Sequence, residues 1–118
     1  NFTFICESPS FEELAHYIRK SAFVLAPYCP DSVLSSGILM DSLSFGSKII
    51  GPEVGSFKDY AREKRLNVYT FHDYEDIEKT VACYKTTPIS LEDYRSFLNE
   101  NNLEHFGNRI IKLVKSLK

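Results

Sequence analysis

The stretch AFVLAPYCPDSVLSSGILMDSLSFGSKIIG, residues 22–51, decides the fold. It opens on a continuous apolar run, residues 22–26, the composition of a strand covered on both faces. Pro27 stops the run, and residues 28–35 read as a loop that carries a second proline, Pro30. Residues 37–45 then read as a short, mostly buried helix, closed by Gly46 in a left-handed cap. Residues 48–50 form the next buried strand, ending in Gly51-Pro52. Strand, polar turn, helix, strand is the unit from which parallel sheets are built.

The same alternation extends in both directions. Upstream, residues 2–6 read as a strand, and Ser10-Phe11-Glu12-Glu13 matches a capping box. The helix that follows places Phe11, Leu14, Ala15 and Ile18 on one face, the spacing of a helix packed on a sheet. Downstream, Ser56 is expected to cap a helix running to about Arg65, and residues 67–71 read as a fourth strand. Asp73 caps a helix with Ile77, Val81 and Tyr84 on one side, and Ser90 caps another carrying Leu91, Tyr94 and Leu98. A last helix covers about 103–117, with Phe106, Ile110, Val114 and Leu117 as its inner stripe. The expected architecture is α/β: an open, mostly parallel, Rossmann-like sheet of about four strands flanked by helices, with extra C-terminal helices. In such sheets ligands sit beyond the carboxyl ends of the strands. Function is therefore sought after Cys6, Ala26, Ile50 and Phe71.

Composition sets limits on that function. A chain of 118 residues, 43% apolar and 25% charged with net charge −2, is long enough for one packed core. The balance offers no basic surface for nucleic acid. Arg109, Lys112, Lys115 and Lys118 do cluster late in the chain, where cations complement a helix dipole. No stretch reaches the ~20 apolar residues of a membrane span. Cys6, Cys29 and Cys83 are odd in number and form no Cys-x-x-Cys pair, which argues against zinc and dithiol chemistry and for a reducing, cytoplasmic setting. The lack of a leading Met suggests excision from a longer chain, and the Asn1-Phe2-Thr3 sequon is read as chance.

The segment that carries chemistry is Ser35-Ser36-Gly37 at the start of the central helix. Small residues let a ligand approach the backbone, and the first amides of a helix are free donors suited to a phosphate. A bland alternative stands beside this reading: Ser35 or Ser36 serves only as a helix cap. Asp41 lies one turn further, in an otherwise apolar helix, placed to hold the ribose hydroxyls of a nucleotide. Its alternative is a solvated edge position. Gly51-Pro52-Glu53-Val54-Gly55 forms a second glycine-containing turn after the neighbouring strand.

Taken in order, residues 23–28, 35–46, 48–51 and 54–57 resemble the donor-binding domain of the group 1 retaining glycosyltransferases, which have the GT-B fold. The resemblance covers roughly residues 2–82. It implies a partial donor-binding domain over residues 1–88, with residues 89–118 supplying its C-terminal helices. It further implies a nucleotide-diphosphate sugar as substrate, with no metal or other cofactor. Ser35, Ser36 and Gly37 would contact the diphosphate, Asp41 the ribose, and Tyr28 the base or ribose, with Gly46, Gly51 and Gly55 as supporting turns. The parent would transfer sugar, with retained configuration, to a glycan or lipid acceptor held by an upstream domain, in surface polysaccharide synthesis and with peripheral membrane association. Two departures matter: the family's first glutamate falls on Val33, and its second is shortened to Asp41. The basic pair that neutralises the leaving diphosphate is expected upstream of Asn1. The chain alone is therefore expected to be inactive, and to dimerise if a sheet edge is left open.

Competing readings have less support. A degenerate module with a partner-binding or regulatory role draws on Val33. A receiver-like domain needs clustered carboxylates after its first strand, where Glu7 stands alone. The chain contains no Gly-x-Ser-x-Gly elbow, no Walker loop and no Gly-x-Gly-x-x-Gly. His16 and His105 read as surface positions, and His72 as a helix lead-in with a lesser weight on function.

Overall fold

A computed structural model describes residues 2–32 and 36–118. Helix α1 (Phe11–Lys20) starts at the capping box: the Ser10 hydroxyl accepts from the Glu13 N–H at 3.2 Å, and the Glu13 carboxylate accepts from the Ser10 N–H at 2.8 Å. Ala15 and Ile18 turn inward, while Phe11 stays at the edge with its ring beside Phe45. Strand β1 (Val24–Leu25) follows, then α2 (Gly37–Ser44), β2 (Ile49–Pro52), α3 (Gly55–Ala61) and β3 (Val68–Phe71). Helices α4 (Tyr74–Tyr84), α5 (Leu91–Glu100) and α6 (Leu103–Ser116) complete the chain.

The sheet has the order β1-β2-β3 and is parallel throughout, with Val24 opposite Ile49, and Ile49 opposite Val68. Parallel neighbours require a crossover, which α2 and α3 supply. This is an α/β arrangement consistent with a Rossmann-like unit, with three strands among the described residues instead of four. The run 2–6 is the difference. It pairs with no strand, and Phe2 is 94% exposed. Alternation gives a segment strand propensity, but only a hydrogen-bonded neighbour makes it a strand. β1 is a second correction: it is an edge, and Leu25 is 48% exposed, so the apolar run 22–26 is covered on one face only.

The core joins Ala26, Leu39, Leu43, Ile49, Phe57 and Val68, with Leu66 and Tyr94 closing its rim. Gly46 takes φ 65° after α2, as expected of its cap, and the Tyr94 ring packs over it at 3.5 Å from where a Cβ would stand. The Tyr94 hydroxyl donates to the Leu43 carbonyl, fastening α5 to the end of α2. Burial raises the Tyr94 pKa, since the phenolate loses solvation.

Lys48 is buried, directly before β2. Its ammonium donates to the carbonyls of Tyr84 and Thr87 at 2.5 Å, with the Lys85 carbonyl at 3.4 Å. These are carbonyls at and just beyond the end of α4, where a helix leaves acceptors unpaired and its dipole favours a cation. The aliphatic stem crosses the core edge, and the charge sits 5.4 Å from the Phe23 ring centroid.

Two helices depart from their sequence-based expectations. α3 begins at Gly55 with Val54 as its cap, without the Ser56 hydroxyl serving that role, and it ends at Ala61, before Arg65. Arg65 instead clasps Glu63 at 2.9 Å and Glu100 at 2.9 Å, and its hydrogen bonds hold the Glu63 pKa down at about 2. α6 covers the expected residues, but its apolar stripe faces solvent: Phe106, Ile110, Val114 and Leu117 are all exposed. No described helix is long and apolar enough to cross a membrane.

Candidate functional site

The carboxyl ends of the strands carry the features expected to bind a ligand. At the front of α2, Ser36 is the N-cap and is 6% exposed, its hydroxyl accepting from the Leu39 N–H at 3.3 Å. The capping reading of Ser36 is therefore met, and one helix-front amide is used internally. The amides of Gly37 and Ile38 have no acceptor among the described residues. Gly37 is exposed, and a Cβ built on it would meet nothing within 4 Å. Among the described residues nothing covers the Gly37 side of the helix front, where the first amides of a helix suit an anion. Ser35 and Val33 lie outside the described residues.

Asp41 sits one turn further along α2 and is half-buried. Among the described residues its carboxylate forms no ion pair and accepts no side-chain hydrogen bond. Beside it, the Ser42 hydroxyl is fully buried and has no partner among the described residues.

Gly51 and Gly55 shape the neighbouring turn. A Cβ on Gly51 would stand 2.2 Å from the Phe57 ring, so only glycine admits that ring, and Gly55 has φ 52°. The turn between them brings Glu53 to His72, with Nε2 2.5 Å from the carboxylate. Asp76 receives the His72 backbone N–H at 2.9 Å, and that bond is the main reason its pKa is lowered. His72 therefore ties the β2–α3 turn to the start of α4, a structural position.

Tyr28 follows β1 and is 40% exposed, its ring 6.3 Å from that of Phe57. With Leu25, Phe71, Tyr74 and Ile77 it lines a groove of about 260 Å³ beyond the carboxyl ends of β1 and β3. Ser36, Gly37 and Asp41 do not line this groove. The structure thus groups the α2 residues with one another and places Tyr28 in a separate, mostly apolar and aromatic hollow. The sequence pattern points to Phe71, Tyr74 and Ile77 only by position, since Phe71 ends a strand and the other two open the helix that follows it.

No family model, no curated protein and no solved structure matches the chain.

Proposed function

We propose that this chain binds the nucleotide portion of a nucleotide-diphosphate sugar for retaining glycosyl transfer, as the donor-side unit of a cytoplasmic glycosyltransferase. The observation that carries the reading is the front of α2, where the Gly37 and Ile38 amides and the half-buried Asp41 carboxylate one turn behind them have no partner among the described residues. Donor amides suit a diphosphate, and a carboxylate one helical turn away suits vicinal ribose hydroxyls. Tyr28, which lines a groove separate from these α2 residues, would meet the base or ribose only of a ligand long enough to span both. Ser35 and Ser36 would contribute backbone contacts to the diphosphate, and Gly46, Gly51 and Gly55 would hold the turns. The reaction needs no metal on this side. The acceptor would be a glycan or lipid bound by a separate domain.

A second reading follows from Val33, which stands where the resembling family has its first glutamate: a module that retains the fold and binds a partner without transferring sugar. Calorimetric titration with uridine, guanosine and adenosine diphosphates separates the two. Heat with one of them, diminished in Asp41→Asn, supports donor binding. Absence of heat with all three removes it. Release of nucleoside diphosphate from sugar donors by the protein joined to its acceptor domain then tests the transfer itself.

A further inference from the structure

Two apolar surfaces of this chain lie open, and they have complementary shapes. One is convex. α6 exposes Phe106, Ile110, Ile111, Leu113 and Val114 along about 21 Å of helix. It stands off the rest of the molecule, and among the described residues it is tied to the body by a hydrogen bond from Arg109 to the Glu100 carbonyl at 3.4 Å. The extents of 61 × 31 × 29 Å and the radius of gyration of 16.5 Å, against roughly 13–14 Å for a compact chain of this length, reflect α6 together with the exposed segment 2–9. The other surface is concave. Met40 and Leu43 of α2, Tyr60, and Phe97 and Leu98 of α5 line a groove of about 380 Å³. Met40 is 49% exposed on its wall.

Charge divides the same way. Residues 103–118 carry Arg109, Lys112, Lys115 and Lys118 against Glu104, a net +3. The whole chain is −2, so residues 1–102 carry −5. A basic helix and an acidic body attract each other, whereas two copies of α6 laid side by side would repel. Leu103, Phe106, Ile110, Leu113 and Leu117 keep the 3-4 spacing of a helix-pairing seam, but Ile111 and Val114 widen the apolar arc beyond it, as suits a groove. An anionic membrane would attract α6 but repel the acidic body that carries it.

We infer that α6 docks into the groove between α2 and α5 of a second copy, and that the two copies exchange α6 reciprocally to form a closed dimer. Helix exchange of this kind closes with two-fold symmetry and needs no new surface. Five apolar side chains per helix, each removing roughly 60–120 Å² from water, give ~600–1,200 Å² from the two helices. With the smaller contribution of the facing groove walls, the total meets the lower end of the range of about 1,200–2,000 Å² typical of stable interfaces. This inference is independent of the donor site.

Sedimentation equilibrium of the 118-residue chain tests it, with the 13.6 kDa monomer as reference. The expected result is twice the monomer mass, falling to monomer in Ile110→Asp and separately in Met40→Arg. Both positions are exposed, and circular dichroism confirms that each variant remains folded. Mixing the two variants restores one intact helix–groove contact, so dimer should partly return. A monomeric wild-type chain overturns the inference, whether α6 then folds onto its own groove or sediments with anionic phosphatidylserine vesicles. A Met40→Arg variant that stays fully dimeric also overturns it, since the groove would then be unused.

Discussion

The Phe57 ring occupies the space that a side chain at Gly51 would fill, 2.2 Å from the ideal Cβ position. Phe57 is fully buried, so the ring has nowhere to retreat. Gly51→Ala should destabilise the protein by about 3 kcal/mol, the upper part of the overpacking range. Urea denaturation followed by circular dichroism measures it. A loss below ~1 kcal/mol would mean that the β2–α3 turn yields easily.

Ser42 leads to the opposite expectation. Its hydroxyl is buried without a hydrogen-bond partner among the described residues, and an unpaired buried polar group costs about 1–3 kcal/mol. Ser42→Ala should therefore be neutral or stabilising by ~1 kcal/mol, read as a raised denaturation midpoint. A clear destabilisation would show that the hydroxyl has a partner after all.

Asp41 separates binding from stability. It makes no ion pair in the described structure, so Asp41→Asn should leave the thermal midpoint nearly unchanged. A hydrogen bond involving a charged group contributes about 1.5–3 kcal/mol, so nucleoside diphosphate affinity should fall ~10- to 100-fold. Calorimetry reads both wild type and variant. Equal affinity would remove Asp41 from the site.

Lys48→Met keeps the aliphatic stem of the side chain and deletes its donors to Tyr84 and Thr87. Loss of the charged hydrogen bonds at the end of α4 should cost about 2 kcal/mol. Faster amide exchange near residue 85 should accompany it. Unchanged exchange there would show that the helix end is held by other means.

The lowered pKa of Asp76 has a definite sign in pH dependence. Because the folded state holds this carboxylate ionised more firmly than the unfolded state does, its stabilisation is present above the ordinary aspartate range and is lost as pH falls below it. Thermal midpoints of wild type and Asp76→Asn should diverge at neutral pH and converge in acid. Parallel curves across that window would contradict the His72 N–H contact as its cause.

The helix starts were legible from sequence where one side chain answers a nearby amide. Ser10, Ser36, Asp73 and Ser90 each accept from the residue three positions on, a strictly local interaction. Gly46 was legible because a left-handed cap favours glycine. Strand existence was less so. Residues 2–6 and 67–71 have similar alternation, but only the latter meets β2, and that partnership is set by the crossover α3. The exposure of Leu25 follows from the absence of a covering element on its face of the sheet, which no local pattern encodes. Within the candidate site, the α2 front could be read because its residues are consecutive. The Tyr28 groove could not, because Phe71 and Tyr74 reach it from more than 40 positions further along the chain.

The Lys48 contacts cross 36 to 39 residues of sequence, and this sets where the chain can be shortened. A truncation ending before Tyr84 would strand a buried ammonium with no acceptors, although every strand would remain. Any piece able to hold the sheet must therefore extend at least through Thr87, and protease trimming should not pass that point, well short of the last strand.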